Sequence, residues 1–77
     1  MSNLSEALSP ASCRAARELL KLSQEELAHL AEISVSTLRR FETGKGRPGS
    51  YASRQIEAAL KHAGILFIGP SRKPELK

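Results

Sequence analysis

Residues 24–41 read QEELAHLAEISVSTLRRF, and this stretch decides the fold. Leu27, Leu30 and Ala31 recur at helical spacing, with Ala28 small enough to admit a neighbouring helix, and Leu38 and Phe41 repeat the pattern after a short break. Two helices this short and this close in sequence must pack across a tight turn, and Ile33 is placed to plug it. The boundaries are written in the polar residues. Ser23 with Glu26 forms a capping box that opens one helix at Gln24. Ser34 caps the next, from Val35 to about Glu42, and Gly44 stands where a left-handed residue stops it.

Working outward, Ser9 followed by Pro10 reads as an N-cap and first helical residue. Cys13, Ala16, Leu19 and Leu20 carry that first helix to about Leu20. Beyond the central pair, residues 43–50, TGKGRPGS, form a glycine-rich basic loop. A fourth helix from about Tyr51 to Ala63 places Ala52, Ile56, Ala59, Leu60 and Ala63 on one face, with Gly64 as its stop. Residues 65–68, ILFI, then give a short strand signal bounded by Gly64 and Gly69-Pro70. The expected organisation is a flexible tail over 1–8, one domain over 9–69 and a flexible tail over 70–77.

The chain of 77 residues is near the lower limit for an unaided hydrophobic core, which makes help from a second subunit plausible. Cys13 has no partner for a disulfide or a zinc site, and the sequence contains no aspartate. His29 and His62 stand alone on helical faces, so neither an enzyme nor a cofactor or metal is expected. The N-terminal segment lacks a basic stretch followed by an apolar run, so a cytoplasmic protein without a membrane span is expected. Net charge is +4 and uneven: residues 1–37 carry three Lys/Arg against five Glu, residues 38–77 nine against three. That asymmetry points to a polyanion as partner of the second half.

At about 100° per residue, Val35, Ser36, Arg39, Arg40 and Thr43 fall on one arc of the third helix, while Leu38 and Phe41 point into the core. The arc holds no acid. Arginine can donate twice to guanine, a hydroxyl can donate or accept, and a valine methyl can meet the thymine methyl, so the residue types suit base edges in a DNA major groove. The bland alternative is a set of solvated helix charges.

QEELAHLAEISVSTLRRFETGKGRP resembles the lambda-repressor and Cro family of helix-turn-helix regulators from bacteria and phage, with the likeness covering about residues 10–63. Gln24, Leu27, Ala28, Ala31, Ile33, Leu38, Phe41, Glu42 and Gly44 occupy its signature positions. The resemblance implies an all-α bundle of four to five helices, here with a short C-terminal β-strand. It also implies a transcriptional regulator, most simply a repressor, bound to double-stranded DNA. Val35, Ser36, Arg39 and Arg40 would contact bases; Gln24, Ser34, Thr43, Lys45 and Arg47 would contact phosphates. Arg17 and Glu42 stand where several phage members form a buried ion pair. The sequence departs from the family at Glu32, where the turn usually has glycine and a left-handed residue costs about 1 to 2 kcal/mol, and at Val35, where many members grip adenine with an amide.

A lone strand has unpaired backbone on both edges, and Ile65, Leu66, Phe67 and Ile68 are expected to pair with their own copies in a two-fold homodimer. The alternative is a strand folded back on its own subunit. The rival function is an antitoxin-type protein that binds a toxin as well as its own operator, with the short chain ends as its only partner-wrapping segments.

Overall fold

The computed structural model describes residues 7–47 and 49–77; residues 1–6 of the expected N-terminal tail and Pro48 of the glycine-rich loop lie outside the described residues. Four helices, α1 (Pro10–Leu19), α2 (Gln24–Ala31), α3 (Val35–Glu42) and α4 (Tyr51–His62), precede strands β1 (Ile65–Ile68) and β2 (Lys73–Leu76). Each helix opens on a serine whose hydroxyl accepts the amide three residues on. The distances are 3.0 Å for Ser9 to Ser12, 3.0 Å for Ser23 to Glu26, 3.1 Å for Ser34 to Thr37 and 3.2 Å for Ser50 to Ser53. Caps of this kind stabilise by about 1 kcal/mol each. In α2 the Ser23 amide donates back to Glu26 Oε1 at 2.8 Å, completing the capping box.

The helix exits set the angles between elements. After α1 the chain turns through Lys21 at φ 58, with Lys21 N donating to Glu18 O and Leu22 N to Arg17 O. After α2 it turns through Glu32 at φ 59, with Glu32 N donating to His29 O and Ile33 N to Ala28 O. Both are the paired 6→1 and 5→2 closure that normally employs glycine at the left-handed position. Glycine does occupy it after α3, where Gly44 sits at φ 85.

One core joins the four helices and β1. Leu27, Ala28 and Ala31 of α2, Leu38 and Phe41 of α3, and Ile56 and Leu60 of α4 close over Cys13 and Ala16 of α1, with Ile65 of β1 as the last member. Ile33 and Val35 pack against this cluster from the turn and the start of α3. Burying a leucine or phenylalanine stabilises by about 1.5 to 3 kcal/mol, so these few side chains dominate the cohesion of so small a domain.

Several sequence expectations need correction. Leu30 is 51% exposed. Counting about 100° per residue, Leu27, Ala31 and Ala28 span the buried arc of α2 and Leu30 falls beyond its edge. Leu19 lies at the surface beside Lys73 and Pro74, because the neighbour it faces is the narrow end of a two-stranded ribbon. Leu8, assigned to a flexible tail, is buried in the core. It precedes the Ser9 cap and Cys13 is the fourth helical residue, the two positions of a hydrophobic staple.

The largest difference concerns residues 70–77, expected to be a flexible tail. Lys73–Leu76 instead form β2, antiparallel to β1 with Ile65 opposite Leu76 and Ile68 opposite Lys73. Three contacts anchor the ribbon. Ser12 Oγ donates to Arg72 O at 3.0 Å, the Arg72 guanidinium pairs with Glu57 of α4, and the same guanidinium lies 5.0 Å from the centre of the Phe67 ring. Burial acts to raise the Glu57 carboxyl, but the hydrogen bonds from Lys61 and Arg72 and their charges hold it below its ordinary value. The lone strand expected from the sequence therefore has a partner on one edge within its own chain.

Candidate nucleic-acid interface

The face of interest is built from α3, the N-terminus of α2 and the loop after α3. Ser36, Arg39, Arg40 and Thr43 are exposed along α3, and Lys45 and Arg47 continue the basic strip into the loop. Val35 is half-buried against the core, so only part of its side chain faces outward. Ser34 is committed to its cap and shares a 2.8 Å hydrogen bond with the Thr37 hydroxyl. Thr43 Oγ1 donates to Arg40 O at 3.1 Å. The Arg40 guanidinium has no acidic partner within 4.0 Å among the described residues.

Gly46 holds the loop close to α3. A Cβ there would lie 3.0 Å from Phe41 Cδ1 and 3.1 Å from Phe41 Cα, inside normal contact. The absence of a side chain lets the backbone rest on the Phe41 ring and places Lys45 and Arg47 beside the end of α3.

Under this face lies a charged knot. The Glu42 carboxylate, almost fully buried, receives Arg17 Nε at 2.8 Å, Arg17 Nη2 at 3.0 Å, Gln24 Nε2 at 3.0 Å and Cys13 Sγ at 3.4 Å. Arg17 Nη1 also donates to Leu22 O at 3.1 Å, so one guanidinium ties α1 to the end of α3 and to the connection before α2. Burial acts to raise the Glu42 carboxyl, yet the donors from Arg17, Gln24 and Cys13 keep it below the ordinary carboxylate range. Burial pushes the Cys13 thiol up, and the Glu42 charge beside it pushes further in the same direction. Arg14 donates to the Glu42 carbonyl at the C-terminal end of α3, where a cation is favoured by the helix dipole.

The structure thus joins Arg17, Glu42 and Gln24 in one network, while Ser36, Arg40, Lys45 and Arg47 face solvent. Sequence reasoning missed Arg14, Cys13 and Glu25. The spacing of Cys13, Arg14 and Arg17 on adjacent turns of α1 was the available signal for the first two. Gln24, expected to present its amide to a phosphate, turns that amide toward Glu42 and Arg39, with Arg39 Nε donating to Gln24 Oε1 at 3.2 Å. Glu25 carries an exposed ion pair with Arg39 at 3.2 Å.

Two short helices across a left-handed turn, the second bearing an exposed arginine-rich arc, define a DNA-binding helix-turn-helix domain. Residues 14–61 match the helix-turn-helix family model, and the chain belongs to this lambda-repressor-like family of DNA-binding regulators. No curated protein matches the sequence. Among the described residues no helix is long and apolar enough to cross a membrane.

Proposed function

We propose that this chain is a sequence-specific transcriptional repressor that lays α3 in the DNA major groove as a two-fold dimer. The observation that carries the reading is the exposed strip Ser36, Arg39, Arg40, Lys45 and Arg47, basic from the reading helix into the loop, on a scaffold of the matching family. Val35, Ser36, Arg39 and Arg40 form the arc turned toward the bases. Gln24, Ser34, Thr43, Lys45 and Arg47 contact phosphates, assisted by the Gln24 and Glu25 amides, which the first turn of α2 leaves unpaired.

One helix reads only a few base pairs, so a useful site holds two copies about 34 Å apart. The hairpin supports pairing of copies. Lys77 N donates to Gly64 O at 2.8 Å, which by antiparallel alternation turns the amides and carbonyls of Ile65 and Phe67 away from β2. The β2 edge carries Lys73, Pro74 and Glu75, residues that discourage further pairing, whereas the β1 edge is ILFI. Leu66 and Ile68 offer side chains to a second copy; Ile65, 1% exposed, offers only backbone. The antitoxin reading is weakened because Lys73–Leu76, within one of its two candidate wrapping ends, pair with β1.

Selection of bound sites from random duplex DNA tests the proposal. Recovery of an inverted repeat with half-sites one helical turn apart is expected, with affinity falling steeply as salt rises. No enriched sequence at low salt would end the DNA-reading proposal. Enrichment of a single half-site, with a monomer in sedimentation at micromolar concentration, would end the dimer.

A further inference from the structure

Arg39 lies in the base-facing arc, yet its side chain is already occupied. Its Nε donates to Gln24 Oε1 and its Nη2 to Glu25 Oε2, each at 3.2 Å. The α2 terminus it reaches carries two acids, Glu25 and Glu26. Glu26 is folded back onto the Ser23 amide, but Glu25 is two-thirds exposed. An exposed carboxylate there favours the free helix through the dipole and opposes a DNA phosphate arriving at the same terminus. Arg39 is the cation that cancels it.

The second contact fixes an orientation. Gln24 accepts from Arg39 through Oε1 and donates to Glu42 through Nε2 at 3.0 Å, so the amide has one arrangement. Its nitrogen has two hydrogens and Glu42 takes one. The other remains for a phosphate. Arg40, one residue on, has no acid partner within 4.0 Å among the described residues and keeps its whole guanidinium for a base.

We infer that Arg39 is a positioning residue: it neutralises Glu25 and orients Gln24 so that the α2 N-terminus accepts a phosphate, and base selection rests on Val35, Ser36 and Arg40. This rests on the DNA-reading proposal and refines the part Arg39 plays in it.

The test is a double-mutant cycle on the full chain with E25Q, R39A and the pair together, using a selected duplex and a random duplex at two salt concentrations. R39A should weaken both duplexes alike, by about fivefold, the scale of an exposed ion pair. E25Q alone should strengthen both, and in the E25Q background the R39A loss should shrink below about twofold. R40A serves as the selective comparison, and thermal unfolding of each variant checks that it is folded. A loss from R39A confined to the selected duplex, and undiminished in the E25Q background, would overturn the inference and make Arg39 a base reader. A wild-type chain that bound neither duplex would overturn the DNA-reading proposal itself.

Discussion

Arg17 and Glu42 are 25 positions apart in the chain and meet through two parallel hydrogen bonds, Nε to Oε2 at 2.8 Å and Nη2 to Oε1 at 3.0 Å. The pair locks α1 against the end of α3. Its carboxylate is buried and its guanidinium nearly so, with side-chain exposures of 2% and 15%. The value of such a pair lies less in its attraction than in what remains when one member is removed.

Arg17→Met leaves the Glu42 charge buried with only Gln24 and Cys13 as donors, and is expected to cost about 3 to 5 kcal/mol. A domain of this size holds roughly 4 to 11 kcal/mol in total, so the loss is a large share of the whole. Combining Arg17→Met with Glu42→Leu should recover most of the loss. Urea titration followed by circular dichroism measures both, and a double variant as weak as the single one would contradict the account.

Stability should fall at both ends of the pH scale. The folded Glu42 and Glu57 carboxyls titrate below their ordinary value, so their stabilisation is complete above about pH 5 and is lost as pH falls through about 4 and below. The folded Cys13 thiol titrates above its ordinary value. Stability is therefore full below about pH 8 and declines as the unfolded chain ionises that thiol. Thermal midpoints from pH 3 to 10 should show a plateau between these limits, and Cys13→Ala should flatten the alkaline side.

Glu32 turns the chain at φ 59 without the freedom of glycine. Its side chain is exposed, so Glu32→Gly removes steric strain and little packing. The gain from relieving a left-handed residue exceeds the added chain entropy by about 0.5 to 1 kcal/mol. The unfolding midpoint should rise by about 2 to 8 °C; a fall would mean that Glu32 makes a compensating interaction.

Arg40→Ala and Lys45→Ala should separate reading from anchoring. The first is expected to cost about 1 to 3 kcal/mol on a selected duplex and little on random DNA, while the second weakens both and lowers the salt slope by about 1. Electrophoretic titrations at several salt concentrations supply all four values. Equal losses on both duplexes from Arg40→Ala would remove it from the base-reading set.

The helices were legible because their signals are local. The serine caps at Ser9, Ser23 and Ser34, the apolar repeats and the stop at Gly44 all act within four residues, and the α2 and α3 bounds follow from them. The reading helix was legible for the same reason, since its exposed arc is a property of one helix. Leu30 misled because its spacing fits a stripe whose centre only the neighbouring helices define.

What the sequence by itself determined is therefore the helix-turn-helix, its turn through Glu32 and the basic strip that follows it. The tertiary structure alone decided the rest. KPEL carries no strand pattern of its own, and it becomes β2 because β1 supplies backbone partners and Glu57 and Ser12 hold Arg72. Gln24 and Arg39 each suit a DNA contact when read alone, but Glu42 and Glu25, brought close by packing, each take one of their donors. A donor satisfied by a residue far along the chain is decided by the three-dimensional fold, because only there do the two groups lie within 3 Å or so of each other.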